Sequence, residues 1–210
     1  MELHLLCKVI TVIWWDMKTA LNKIATVQTG YSFRSRLASI DTGTLAVIQM
    51  KDLSDANLVK CDKLAKVDME LPKEHHLVKQ GDIIFRSRGL TTSSAILTDD
   101  PGSAVLAAPL LRIRVTSNQV MPEYLNWYIN QPPAQSYLTS CAEGTALKMI
   151  SKQSLDQLEV DVPSLDRQRL IFELAQLAEE EQRIMLKLVD KKAQYFSSTL
   201  LKFAEGEPNK

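Results

Sequence analysis

A chain of 210 residues, 45% of them apolar, is long enough for one globular domain of medium size plus an appendage. Lys plus Arg and Asp plus Glu balance at 25 each, so no global positive charge draws the chain to nucleic acid, and such binding has to come from local clusters. The three cysteines, Cys7, Cys61 and Cys141, are odd in number, far apart and without metal-ligand spacing, which reads as reduced thiols in a cytoplasmic protein. At the N-terminus, Leu3 to Trp15 is apolar but interrupted by Lys8, too short to span a bilayer and without a signal-peptide cleavage pattern. Residues 1–16 therefore read first as an extension upstream of a fresh start at Met17, second as an added strand, and only third as a membrane element.

From Met17 the pattern is mixed α/β. Leu21, Ile24 and Val27 form an apolar face that leads into the polar loop Gln28 to Arg36. Thr44 to Met50, β-branched and apolar between Gly43 and Lys51-Asp52, reads as a buried strand, and Lys60 to Glu74 as a polar connection. Gly81-Asp82 marks a turn into a strand over Ile83 to Phe85, which runs into a second polar loop from Arg86 to Ser94. Ala95 to Leu97, Ala104 to Ala108 and Leu110 to Val115 are further strands, separated by Asp99-Asp100-Pro101-Gly102 and by Pro109. Pro122 to Asn130 and Pro132 to Thr139 read as helices, and Ser154-Leu155-Asp156-Gln157 matches a capping box opening a further turn. A last strand follows, in which Leu158, Val160 and Val162 alternate with Glu159 and Asp161.

That strand feeds one long helix. Pro163 precedes it, Ser164 is placed to cap it, Asp166 lies in its first turn, and no proline or glycine interrupts the chain until Gly206 and Pro208. Leu170, Leu174, Leu177, Ile184, Leu188 and Tyr195 recur in steps of four and three, with Glu181 and Lys191 as polar breaks, which is a coiled-coil seam. A terminal helix of ordinary length would lie on its own domain. The length here, and the polar run Glu179-Glu180-Glu181-Gln182-Arg183, favour a second long helix as partner.

Catalytic signatures are missing. The chain has no G-x-G-x-x-G, no phosphate-binding G-K-[ST] loop, no G-x-S-x-G and no H-E-x-x-H. His75-His76 sit in a charged connection, where adjacent histidines on regular backbone point apart, so a solvated loop is expected rather than a metal site. Asn130-Gln131-Pro132-Pro133 falls short of the acid-or-amide, Pro-Pro, aromatic pattern of amino-methyltransferases, because Gln131 intervenes and Ala134 follows. The remaining candidates are the two basic loops. Tyr31, Ser32, Arg34 and Arg36 lie in one, and Arg86, Arg88, Thr91, Thr92 and Ser93 in the other, with Lys148 as a further candidate. Arginine forks read guanine or clamp phosphate, and hydroxyls serve either task. A charge cluster on a loop is usually a solvated surface; here both clusters follow apolar segments, so one scaffold could present them together.

These passages together resemble the specificity subunit of type I restriction-modification systems. The resemblance is carried in order by Thr29-Gly30-Tyr31-Ser32-Phe33-Arg34, by Val47-Ile48-Gln49-Met50-Lys51-Asp52-Leu53, by Lys79 to Gly89, and by Gly144, Ile150-Ser151 and Leu155 leading into Leu158 to Gln168. It covers the chain from Leu21 to Phe203. It implies an α/β (α+β) target-recognition domain over residues 17–163 and a long coiled-coil helix over 164–205 that serves as spacer, dimerisation element and methyltransferase dock. The family has two such domains and two antiparallel helices, so one domain with one helix reads as a half-length form acting as a homodimer or paired with another half. The resemblance further implies double-stranded DNA, a methyltransferase subunit and in some systems a restriction subunit as partners, no catalysis by this chain, and S-adenosylmethionine held by the methyltransferase. The competing expectation, of a different class, is a structural adaptor that assembles through its helix while the basic loops bind nothing.

Overall fold

Strand Leu110–Val115 holds the centre of the fold, because it is hydrogen-bonded on both sides and apolar where it meets the core. In chain order the computed structural model contains β1 (Met17–Ala20), α1 (Leu21–Ile24), β2 (Ala25–Thr29), β3 (Leu45–Ile48), β4 (Ala65–Val67), β5 (Ile83–Arg86), β6 (Ser93–Ile96), β7 (Ala104–Leu106) and β8 (Leu110–Val115). There follow α2 (Pro122–Ile129), α3 (Pro132–Ser140), α4 (Lys152–Asp156), β9 (Glu159–Val162) and α5 (Leu165–Ala204), with short 3-10 turns at Met50–Asp52 and Glu74–His76. The structure describes residues 17–33, 40, 42–53, 57–70, 72–89, 92–144 and 148–205. The expectation for residues 1–16 lies outside them. Two units are distinct, one running through Arg169 and one from Leu170 onward.

The first unit is the mixed α/β domain expected from the sequence. Its sheets are β2-β8-β5-β6, β4-β3-β7 and the pair β1-β9. Among these strands, every pairing is antiparallel except that of β3 with β7. Side chains alternate across a strand, so β3 serves two cores. Ala46 and Ile48 join Ala104, Leu106, Ile84, Ala95 and Leu110 between the two larger sheets, whereas Leu45 and Val47 join Val105 on the other face, under Tyr31, Phe33 and Leu77.

The edge strand β6 is closed by the backbone of Asn57 and Val59 at Ile96 and by side chains at Ser94. Ser94 lies opposite Phe85 in a register that leaves its backbone groups pointing away from β5. Asn130 takes them: its Oδ1 accepts from Ser94 N at 2.9 Å and its Nδ2 donates to Ser94 O at 3.0 Å. Asn126, one helical turn earlier, accepts from the Ser94 hydroxyl at 2.8 Å. The amide before the two prolines therefore finishes a sheet edge, and Pro132 opens α3 where its missing N–H costs nothing.

Three sequence expectations change. Lys60 to Glu74 contains β4, whose three residues are too few to show an alternation. The cap of α4 is Ser151, whose Oγ accepts from Ser154 N at 3.0 Å, so the helix begins ahead of the expected Ser154. His75 and His76 do not point apart: on the 3-10 turn their ring centroids are 4.2 Å from one another. The apolar face Leu21, Ile24 and Val27 is buried, with Leu21 and Ile24 on a single helical turn and Val27 on the strand that follows it.

The helix start belongs to the domain. Gln168 is fully buried and plugs the preceding connection, accepting from Met121 N at 2.8 Å and donating to Gln119 O and Pro163 O at 2.7 Å. Along the second unit the expected seam is present as a continuous helical row, and Leu170, Leu174, Leu177, Ile184, Leu188 and Tyr195 are each more than half exposed. Leu186, Val189, Phe196, Leu200 and Phe203 form a second row in the C-terminal half, exposed to a similar degree.

Candidate nucleic-acid interface

Both β2 and β5 run antiparallel to β8 and flank it, so the two strands finish at the same end of the sheet. Thr29 at the end of β2 lies opposite Leu111, and Arg86 at the end of β5 lies opposite Leu110. Strands two places apart are about 10 Å apart, so the two polar loops leave the scaffold side by side. The register thus brings together what the sequence separates by some fifty positions.

Between them sits the β7–β8 turn, with a cis Ala108-Pro109 bond. The first loop is fastened to this turn by Gly30 N to Leu110 O at 2.8 Å, Tyr31 N to Leu106 O at 2.6 Å and Ala108 N to Tyr31 O at 3.0 Å. Only glycine fits at position 30, since a Cβ there would stand 2.9 Å from both Leu106 O and Leu110 O. Tyr31 is half-buried, its ring 4.9 Å from Phe33 and 5.5 Å from His76, so it anchors the loop; Ser32 is exposed. An open groove beside them is lined by Gln28, Tyr31, Ser32, His76 and Lys152.

The second loop is fastened from the other side. The Ser87 hydroxyl donates to Pro109 O, and Arg86 sends Nη2 to Met50 O at 3.1 Å. Arg86 Nε is buried without a partner, so this arginine is turned into the fold, in contrast with Arg88, which is exposed. Arg88 pairs with Met149 through Gly89 N to Lys148 O at 3.2 Å and Ile150 N to Ser87 O at 2.8 Å, which puts the exposed Lys148 one position along and on the other face of the pairing. The Thr92 hydroxyl donates to Gln135 Oε1 at 2.6 Å and ties the return of the loop to α3. Of the expected residues, Tyr31, Ser32, Arg86, Arg88, Thr92 and Lys148 therefore share one end of the sheet. Arg34, Arg36 and Thr91 lie outside the described residues.

Two further arginines are structural. Arg112 is buried and donates to His75 O at 2.9 Å, Leu77 O at 2.8 Å and Gln28 Oε1 at 2.9 Å, and burial holds its pKa below the usual value. Arg114 forms two 2.7 Å bonds to the buried Asp82, which raise its pKa despite burial. In the sequence this stretch reads as a plain strand. Two arginines two apart within it were the available signal that one face meets polar backbone rather than solvent.

Among the described residues, no cluster of three or more histidines, cysteines or acids could hold a metal, and no helix is long and apolar enough to cross a membrane. Cys61 and Cys141 are free thiols.

A comparison with curated protein sequences finds no match. Among solved structures, the chain is similar to the type I restriction-modification S subunit from M. genitalium, with TM-score 0.55 and 10% identity over 89% of this chain and 45% of that one. It is similar to the HsdS subunit from Thermoanaerobacter tengcongensis, with TM-score 0.56 and 18% identity over 80% of this chain and 37% of that one. A third likeness, to a chain in a structure of complex assembly and conformational transition of the type I R-M system, has TM-score 0.61 and 18% identity over 96% of this chain and 48% of that one. The chain thus spans about half the length, or less, of the structures it matches, and these likenesses bear on the fold: a mixed α/β domain followed by a long helix. The family described as "Type I restriction modification DNA specificity domain" matches residues 15–184. With most of its length inside that match, the chain belongs to the family of type I restriction-modification DNA specificity domains.

Proposed function

We propose that this chain reads a short sequence in double-stranded DNA with the sheet end at which β2 and β5 finish, and directs a methyltransferase subunit to it. The observation that carries this reading is the register of β2 and β5 on β8, which gathers Ser32, Arg88 and Lys148 from three separate passages. A solvated charge patch needs no such convergence. The fixed backbone around Gly30 and Ser87 favours readout, because side chains that discriminate bases need a rigid base. Arg88 carries positive charge toward the groove edges, Lys148, on the other face of the same pairing, carries it toward phosphate, and Ser32 supplies a hydroxyl.

The chain itself has no catalytic role in this account. S-adenosylmethionine belongs to the methyltransferase, and a restriction subunit joins where the system has one. The α5 helix, about 60 Å long at 1.5 Å per residue, pairs through its Leu170 to Tyr195 row with a second long helix, from another copy or from another half-subunit. The second row, Leu186 to Phe203, leaves a further apolar side for the docked subunit. Each large side chain of these rows that becomes covered contributes roughly 1.5 to 3 kcal/mol. The adaptor alternative keeps the helix and drops the DNA.

A gel shift on random-sequence duplexes, with and without the cognate methyltransferase, tests the reading. A shift that weakens steeply with salt and resolves into one preferred sequence is expected. The isolated chain should neither methylate nor cut. Light scattering on the full chain and on a truncation ending at Arg169, which retains Gln168, tests the helix. A truncation that still dimerises would refute pairing through α5.

A further inference from the structure

Met149 takes part in two isolated antiparallel bridges at the proposed DNA-reading end, one with Glu143 and one with Arg88, so three short segments lie side by side as in a small ribbon. It exchanges both backbone bonds with Glu143, N to O at 2.9 Å and O from N at 3.0 Å, which makes a hydrogen-bonded pair. Its pairing with Arg88 is of the other kind, since the bonds lie on either side, between Gly89 and Lys148 and between Ile150 and Ser87. Directly opposed residues in an antiparallel ladder carry their side chains on the same face. Arg88, Met149 and Glu143 therefore form one row, about 10 Å from end to end by the usual pair spacings. Lys148, one position along, lies on the opposite face.

All three members of the row are exposed, and Met149 is 45% accessible. Neither Arg88 nor Glu143 has a side-chain hydrogen bond or ion pair among the described residues. A carboxylate placed at a phosphate-binding surface works against binding. It is useful where a base presents an amine. In the major groove, arginine matches the two acceptors of guanine, a carboxylate accepts from the cytosine amino group, and an apolar side chain meets the thymine methyl. A cation, an apolar group and an anion, spaced as adjacent residues of a ribbon are, meet the three chemistries that a groove edge offers.

We infer that Arg88, Met149 and Glu143 are the specificity-determining row of this domain, reading a guanine, a thymine methyl and a cytosine amine, with Lys148 contacting phosphate. The inference rests on the DNA-reading role proposed above. It assigns base preference to side chains whose removal leaves the ribbon's backbone bonds in place, so the variants Glu143→Gln and Met149→Ala should melt with the parent protein.

The test is selection of binding sites from random-sequence duplexes by the full-length chain and by each variant, at fixed salt. Glu143→Gln should lose the cytosine preference at one position by about 5- to 150-fold and move toward adenine, which an amide matches. Met149→Ala should lose a thymine preference at another. Replacing that thymine by uracil in the selected duplex, which removes only the methyl, should weaken the parent and leave Met149→Ala unaffected. Lys148→Ala should weaken all duplexes alike without altering the motif. A parent that selects a motif while either variant selects the same motif overturns this row and leaves the DNA-reading role standing. A parent that selects no motif overturns both.

Discussion

Replacing Asn130 by alanine should cost the domain about 3 kcal/mol. The side chain makes four bonds: it accepts from Ser94 N and donates to Ser94 O, Ser94 Oγ and Asn126 O, at 2.9 to 3.0 Å. Asn126 O remains inside a helix and Ser94 Oγ keeps its bond to Asn126 Oδ1, so those losses are small. The backbone N–H and C=O of Ser94 have no such reserve. Ser94 is 1% exposed, and each buried backbone group left unpaired costs about 1 to 3 kcal/mol. Two such groups give about 2 to 6 kcal/mol, and water entering the space vacated by the amide favours the lower half of that range. In a domain of this size, 3 kcal/mol corresponds to roughly 6 to 12 °C in melting temperature. Thermal unfolding followed by circular dichroism measures the shift, and hydrogen exchange should show β6 opening ahead of β5. Asn130→Asp keeps the acceptor for Ser94 N and loses the donor, so it should fall between. A melting temperature for Asn130→Ala within 1 °C of the parent would refute the assignment of this amide as the closure of the sheet edge.

Gly30→Ala should destabilise by about 1 to 3 kcal/mol in urea, because the new Cβ meets carbonyl oxygens of the backbone and no flexible side chain can give way. The adjacent arginines should separate: Arg88→Ala should lower DNA affinity and leave stability within about 0.5 kcal/mol, whereas Arg86→Ala should lower stability by about 1 kcal/mol through the bond to Met50 O. His76 is held below its ordinary pKa, first by burial and then by His75 and Arg112. The unfolded chain therefore takes up this proton first on acidification, so its contribution is whole at neutral pH and above and is lost as pH falls through the histidine range. Urea midpoints from pH 8 to pH 5 should fall less steeply in His76→Gln.

The long helix and most strands were legible because each rests on a periodicity longer than its boundaries. Leu165–Ala204 carries an acidic first turn, a breaker-free run and a seam, and Ile83–Arg86 follows a glycine turn. What was missed is short or non-local. β4 has three residues, and the Asn130 to Ser94 closure spans thirty-six positions with no local trace. The two basic loops were visible as composition. Their meeting at one sheet end depends on the register of β2 and β5 on β8, which no single stretch encodes. The difference between Arg86 and Arg88 has the same origin: residues two apart at a strand end keep similar sequence surroundings, yet one reaches Met50 O beneath the sheet end and the other enters a ladder with Met149.

The claim that DNA lies on the end of the sheet where β2 and β5 finish is tested most directly by photo-crosslinking. A benzophenone side chain placed at Ser32, at Lys148 or, as control, at Gln80, which bonds to Thr98 O at the opposite end of β5 and β6, is irradiated with a bound duplex. The account predicts crosslinks from positions 32 and 148 and none from position 80. Crosslinking from position 80 with silence at 32 and 148 would contradict it.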